Sequence, residues 1–275
     1  ERIYGLIKKN NPNRITSAKV SIPLPVINKV GTNRTAWQNF SDVCSSVNRP
    51  TDHLYLFILA ELGIESEFRG GFRVTTPETI DVVRDVLRLT ISARLAGLIE
   101  LAGAKTQVMS GEDSNLFRAE KTTLDSEDGP VDIGLVGEVT LVNPRIVFDA
   151  LEAGRIPVIS TVAPDASGQL LNVNADLAAS ALAVALGAEK LMVLTDVPGL
   201  YANWPNRDSL VSEINVPELR ELLPTLESGM IPKMQACLQA VEHGVPRAHI
   251  IDGRTPHSIL LEIFTKSGFG TMVFP

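Results

Sequence analysis

The chain has 275 residues, 44% of them apolar, and a net charge of −7, which suits one large α/β domain or two closely packed lobes with ample core. No apolar run reaches the roughly 18 residues of a membrane-spanning helix, and Cys44 and Cys237 show neither metal-site spacing nor a disulfide framework, the pattern of ordinary thiols in a cytosolic protein. The charge is uneven: residues 1–52 carry eight Lys/Arg and three Asp/Glu, a balance of +5, against −12 for the remainder, but the basic residues are scattered and the aromatics few, which disfavours a nucleic-acid-binding arm.

Residues 1–52 hold seven Asn and four Pro and show only weak periodicity. Short strands are expected at Lys19–Ile22 and Leu24–Val30, interrupted by Pro23 and Pro25. The chain starts at Glu1 rather than Met and has no signal-peptide pattern, so a trimmed or partial chain without a secretory leader is expected. Helical patterning runs from Leu54 to Gly63, and Gly70-Gly71 marks a turn.

Thr76-Pro77-Glu78 reads as a helix start, with Thr as N-cap and Pro in the first turn. Apolar residues at Ile80, Val83, Val86, Leu87, Ile91, Leu95, Leu98 and Ile99 predict one buried helix face. Thr106–Met109 is a strand, followed by the polar turn Ser110–Asp113. Leu116–Leu124 and Val131–Val142 form a hairpin around the acidic turn Asp125–Gly129. Ile146–Ala153 is a short helix closed by Gly154, and Ile156–Ser160 a buried strand. Ala178–Leu186 is a helix with Gly187 as its stop, and Leu191–Leu194 another buried strand. Helices follow at Pro217–Leu223 and Ile231–Glu242, the second ended by Gly244. His249–Ile251 and Met272–Phe274 are the last strands. Strands alternating with helices imply an α/β fold: an open, mainly parallel central sheet sandwiched by helices. The expected division is an atypical basic region (1–53), a substrate-binding lobe (54–160) and a nucleotide-binding lobe (161–275).

Four constellations could carry chemistry. In Asn172-Val173-Asn174-Ala175-Asp176, strand alternation throws Asn172, Asn174 and Asp176 to one side if the segment is extended. Two carboxamides and a carboxylate converging there could bind a polar substrate and orient a lysine; a polar turn with a helix cap is the equal alternative. Leu191–Thr195 runs into Asp196-Val197-Pro198-Gly199-Leu200-Tyr201, at the strand end where open α/β sheets bind ligands; the plain reading is a turn-forming Asp. In Gly229-Met230-Ile231-Pro232-Lys233 a lysine sits in the first turn of a helix. It opposes the helix dipole when merely exposed, yet adds to a natural phosphate site. Arg73, after Gly70-Gly71, could fork onto a carboxylate, although a lone surface arginine is commoner. No GxGxxG follows a strand, so a dinucleotide site is disfavoured. Gly103-Ala104-Lys105-Thr106 lacks P-loop spacing, and His53, His243, His249 and His257 form no metal motif.

The order Asn-Val-Asn-Ala-Asp, then Leu-Thr-Asp-Val-x-Gly-Leu-Tyr, then Gly-Met-x-x-Lys resembles the amino-acid kinase family, and within it the members that act on N-acetyl-L-glutamate. Gly71–Thr75, Ser110–Asp113, Asp132–Gly137 and His249–Arg254 agree, so the likeness covers roughly four-fifths of the chain. It implies transfer of the γ-phosphoryl group of ATP to the side-chain carboxylate of N-acetyl-L-glutamate, in arginine biosynthesis, by a cytoplasmic homo-oligomer. By resemblance, Lys233 contacts the phosphates and the transition state, and Asp176 orients the catalytic lysines. Arg73, Asn172 and Asn174 bind the substrate, and Thr195, Asp196, Gly199, Leu200 and Tyr201 line the nucleotide pocket. Mg²⁺ rides on the phosphates rather than in a protein cage. His249, Glu262 and Gly268 resemble part of an arginine-feedback site; a ligand-free strand, helix and turn is the even alternative.

The family's Lys-x-Gly-Gly and His-Gly-Gly-Gly loops have no counterpart. Residues 1–53 contain only Gly5 and Gly31, and Arg49-Pro50-Thr51-Asp52 stands where the glycines belong. Leu89-Thr90 also replaces the usual Gly and Lys or Gln. Three explanations stand, in order of preference. The N-terminal stretch is out of frame or wrongly joined; the chain is a catalytically impaired relative that still binds nucleotide or arginine; or a lysine from elsewhere (Lys8, Lys9 or Lys19) serves.

Overall fold

The computed structural model describes residues 27–30, 34–37, 43, 68–69, 72–126, 129–227, 229–265 and 268–275. The chain forms two compact units, Glu1–Ser66 and Glu67–Pro275. In the first, β1 (Ile27–Val30) pairs antiparallel with β2 (Arg34–Trp37). The expected strand Lys19–Ile22, the first part of Leu24–Val30, the helix from Leu54 to Gly63, the turn Gly70-Gly71 and residues 49–52 lie outside the described residues.

The second unit opens with β3 (Phe68–Arg69) antiparallel to β4 (Phe72–Arg73). Pro77 starts α1 (Pro77–Asp85), since proline fixes the backbone for a first helical turn and its missing N–H is needed by no partner there. Thr76 is the N-cap residue but its hydroxyl turns to Thr79 instead of capping. The helix widens into a π-helical stretch at Val86–Ser92 and continues as α2 (Ala93–Leu101). That widening overturns the expected single buried face. Ile80 is buried, but beyond the wide turn Ser92 and Ala96 face inward, while Ile91, Leu95 and Leu98 are about half exposed. Wider turns rotate the following residues relative to a 3.6-residue repeat, so the apolar stripe leaves the core.

Next come β5 (Lys105–Ser110), the hairpin β6 (Phe117–Ser126) and β7 (Gly129–Val142), α3 (Arg145–Glu152), β8 (Arg155–Ser160), β9 (Ala163–Pro164) and β10 (Leu170–Val173). Ile156, expected buried on β8, is nearly half exposed near the strand start. The C-terminal half holds α4 (Ala175–Leu186), β11 (Leu191–Thr195), β12 (Leu200–Tyr201), β13 (Leu210–Val211), β14 (Glu213–Asn215), α5 (Val216–Leu222), α6 (Ile231–Glu242), β15 (Ala248–Asp252), α7 (Ser258–Phe264) and β16 (Thr271–Phe274). Asn215 and Glu218 close a reciprocal capping box on α5, each satisfying one orphan N–H of the helix start. Gly187 takes φ +60° after α4, the left-handed stop that glycine allows without a Cβ clash.

Parallel pairing dominates where helices cross over: β5 with β8, β7 with β10, β11 with β15 and β14 with β16. The antiparallel contacts here are β6 with β7, β9 with β10, β12 with β13 and β15 with β16. Two apolar cores result. One gathers β11, β15, β16 and α6 around Met234, Cys237 and Ile250. The other packs β5, β6 and β10 around Met109, Phe117 and Leu171. The alanine-rich α4 reaches both, through Ala183 and Ala178 respectively. Its small side chains let neighbouring elements approach closely, so its N-terminus is held by both cores.

Candidate active site

Asn172 and Asp176 are separated by the junction between a strand and a helix. β10 is extended only as far as Val173, with Leu171 and Val173 buried in the core, so alternation turns Asn172 to the other face. The chain then enters α4 at Ala175, three residues earlier than expected. Asn174 is the N-cap residue, its Oδ1 accepting from the backbone N–H groups of Asp176 (2.9 Å) and Leu177 (3.1 Å). The segment is therefore not extended through Asp176, and Asn174 does not share a strand face with it. Replacing a capping Asn by Ala removes about 1 kcal/mol of stability. Asn174→Ala should lower the urea midpoint accordingly, with the melting curve remaining a single transition.

Asp176 lies in the first turn of α4, where a negative charge complements the helix dipole. Lys233 lies in the first turn of α6, behind Pro232. Its Nζ donates to Asp176 Oδ2 at 3.0 Å, across 57 residues of sequence, with the two side chains 27% and 22% exposed. Two twelve-residue helices thus aim their N-termini at one point. Each N-terminus carries partial positive charge, and the ammonium adds a full one. The half-open pair leaves the lysine reachable by a ligand, while Asp176 fixes its direction. One turn further into α6, Cys237 is completely buried; burial first, and then the Asp176 charge, push its thiol up to about 12. It is neutral packing beneath the pair, not a nucleophile.

The parallel strands β11 and β15 end side by side, Gly253 N–H donating to Thr195 O at 2.8 Å. Thr195 donates its hydroxyl to Asp196 at 3.3 Å. Gly199 is packed so closely that a Cβ would stand 2.5 Å from Thr271 Oγ1, and that hydroxyl oxygen accepts the Leu200 N–H at 2.8 Å. The Leu200 side chain sits in the core, so only its backbone faces any ligand there. Tyr201 is half-buried and packs its ring 5.3 Å from Trp204. Thr195, Asp196, Gly199 and Tyr201 therefore share the carboxyl end of β11, the ligand side of an open α/β sheet. Arg73 lies on β4, paired through its backbone with Phe68.

Sequence reading missed the Asp252–Arg254 clamp at the end of β15. The Arg254 guanidinium donates to both Asp252 oxygens, at 2.9 and 2.8 Å, and its backbone N–H adds a third bond. These bonds hold the Asp252 carboxyl down at about 2. An Asp followed two residues later by Arg at a strand end was the available signal. Because the unfolded pKa is about 3.9, this stabilisation is complete above that pH and is lost as pH falls towards 2. Arg254→Ala should raise the midpoint of acid unfolding, with the two proteins converging near pH 2.

His249, Glu262 and Gly268 also meet. His249 Nδ1 stands 2.6 Å from Glu262 Oε1, and both side chains are almost fully buried. Burial would raise the Glu262 pKa, but the bonds with His249 and from the backbone N–H groups of Phe269 and Gly270 outweigh it and hold the carboxyl below its usual range. His249 Nε2 is buried without a hydrogen-bond partner. Gly268 adopts φ +64° beside Glu262. Among the described residues no group of three or more His, Cys, Asp or Glu could hold a metal ion, and no helix is long and apolar enough to cross a membrane.

The model of the amino acid kinase family matches residues 29–252, a span that takes in part of the atypical N-terminal region. Acetylglutamate kinase of Rhodococcus jostii is 60% identical over 218 residues, covering 79% of this chain and 71% of that protein. Acetylglutamate kinase of an Arthrobacter species is 61% identical over 224 residues, covering 79% and 72%. Among solved structures, N-acetylglutamate synthase of Neisseria gonorrhoeae with coenzyme A and N-acetyl-glutamate superposes with a TM-score of 0.61 at 25% identity, over 82% of this chain and 51% of that one.

Proposed function

The chain belongs to the amino acid kinase family, and from that premise we propose that it phosphorylates the side-chain carboxylate of N-acetyl-L-glutamate at the expense of ATP, a step of arginine biosynthesis. Its curated relatives at about 60% identity carry that activity in their names. The single observation that supports the assignment of residues is the Lys233–Asp176 contact, which joins two motifs 57 positions apart at the meeting of two helix N-termini.

The chemistry suits the residues. A glutamate side-chain carboxylate has a pKa of about 4.3 and is already an ionised nucleophile at neutral pH, so no general base is required. One carboxylate oxygen attacks the γ-phosphorus as the bond to the β-phosphate oxygen breaks, giving an acyl phosphate and ADP. Catalysis then rests on alignment and on neutralising charge spread over the moving phosphoryl group. In this reading Lys233 and the α6 N-terminus supply that neutralisation, and Asp176 keeps the ammonium pointed inward. Arg73, Asn172 and Asn174 hold the acceptor, with the remaining amide edge of Asn174 turned to it while Oδ1 caps the helix. Thr195, Asp196, Gly199, Leu200 and Tyr201 line the nucleotide side. In the same reading Mg²⁺ would ride on the nucleotide phosphates and offset their charge.

Arginine as a feedback effector at His249, Glu262 and Gly268 belongs to the same proposal, supported by the unpartnered buried Nε2 of His249. So do a cytoplasmic setting and assembly as a homo-oligomer, the latter supported by the exposed apolar side chains of Leu89, Leu95 and Leu98. The activity is tested by following ADP release with Mg-ATP while the acceptor is varied. Release that saturates with N-acetyl-L-glutamate, and is absent with unacetylated L-glutamate, is the expected result. Release independent of the acceptor contradicts it.

A further inference from the structure

Thr75, the last residue of the Gly71–Thr75 segment, is completely buried. It sits two residues beyond Arg73 and one before the cap of α1. Its backbone forms a parallel bridge onto β7: Thr75 N–H donates to Ile133 O at 3.0 Å, and Leu135 N–H donates to Thr75 O at 2.6 Å. The approach is so close that a Cβ at Gly134, which has φ +77°, would stand 2.1 Å from Thr75 O. Only glycine fits both the left-handed backbone and the space. The neighbouring strand β10 pairs with β7 through Asn172 and Val136. Across this arrangement the Asn172 side chain donates from Nδ2 to Thr75 Oγ1 at 3.1 Å, a link spanning 97 residues.

From this arrangement we infer that Thr75 is a positioning residue for the acceptor. The inference rests on the reading of Asn172 as an acceptor contact. A carboxamide has a donor edge and an acceptor edge that exchange on a half-turn of the side chain. By accepting one Nδ2 hydrogen at 3.1 Å, Thr75 Oγ1 anchors the Asn172 side chain and leaves its Oδ1 and second Nδ2 hydrogen for the acceptor. N-acetyl-L-glutamate carries both an accepting α-carboxylate and a donating acetamido N–H, which match those two groups. The same residue welds the segment leaving Arg73 to the sheet that carries Asn172, which sets the separation of the two contacts. Nothing in this geometry reaches the nucleotide side at β11, so Thr75 acts on the acceptor alone.

The test compares Thr75→Val with Thr75→Ser in steady-state kinetics on the full chain. Val keeps the shape and removes the hydroxyl. It should raise KM for N-acetyl-L-glutamate about tenfold, the size of one lost hydrogen bond, with kcat within about threefold and KM for ATP unchanged. Ser should restore both within about twofold. Asn172→Ala should raise the acceptor KM as well, and adding Thr75→Val to it should change nothing further, because the two side chains act as one unit. If Val prevents folding by circular dichroism, Thr75→Cys, whose thiol is a weak acceptor, takes its place with the same expected tenfold rise. An unchanged acceptor KM overturns the inference, as does a rise shared with ATP or full additivity with Asn172→Ala. If the unmodified chain shows no acceptor-dependent turnover, the kinase reading itself fails and this inference falls with it.

Discussion

Lys233→Ala lowers kcat by about 100- to 1,000-fold, the loss typical of removing one pre-aimed charge from a transition state. The reasoning starts from the helix. α6 begins at Ile231 with Pro232 in its first turn, and Met234, Ala236, Cys237 and Leu238 are locked in the core. Lys233 projects from the partly exposed first turn, above Cys237 on the same side of the helix, and is held by Asp176 at 3.0 Å. Truncation leaves the core intact. The orphaned Asp176 carboxylate keeps some contact with water, being 22% exposed, so it is spared the full penalty of a buried lone charge. The fold should survive while the reaction does not. Lys233→Arg keeps the charge but replaces a compact ammonium with a planar fork, and should recover only part of the rate. Steady-state kinetics paired with thermal melts separate these outcomes: a large loss of kcat with a modest change in Tm is expected.

Gly270→Ala has the largest expected effect on stability, about 3 kcal/mol or more. A Cβ there would stand 2.0 Å from Ile250 O and 2.8 Å from Ile251 Cγ2. Ile250 and Ile251 are fully buried on β15, which is flanked by β11 and β16. Neither the strand nor the core can yield without disturbing both neighbours, and interiors packed at crystal density do not absorb such overlap. The Gly270 N–H also donates to Glu262, so displacement loosens the His249–Glu262 pair. Gly253→Ala is the contrast: its Cβ would stand 3.1 Å from Leu194 Cβ, a tight contact relieved by a shift of a few tenths of an ångström at a half-exposed residue, and about 1 kcal/mol or less is expected. Urea unfolding of the two variants measures the difference.

The parts of the fold legible from sequence were those set by local chemistry. α6 was read to its end residues because Pro232 and Gly244 bracket a regular apolar period. The hairpin β6–β7 and the stop at Gly187 were equally local. The helix from Pro77 to Leu101 was found, but its buried face was not, because a 3.6-residue template cannot register a π-helical stretch at Val86–Ser92. Asn174 admits two readings, an extended strand with alternation continuing past Val173 and a polar turn with a helix cap; the structure takes the second, whose signal is an Asn immediately before an alanine-rich run. The Lys233–Asp176 contact came within reach only through the order of family motifs, since no local pattern links positions 57 apart. Thr75 closes the Gly71–Thr75 segment, but its partner lies 97 residues away and no local pattern links the two.

The central claim is that a carboxylate oxygen takes the phosphoryl group, and the product tests it most directly. The chain is incubated with Mg-ATP, N-acetyl-L-glutamate and hydroxylamine, and the hydroxamate is measured as its coloured iron(III) complex alongside ADP. Hydroxamate formed one-for-one with ADP, and lost in Lys233→Ala, is the predicted result. ADP without hydroxamate, or hydroxamate formation that is indifferent to Lys233, would contradict it.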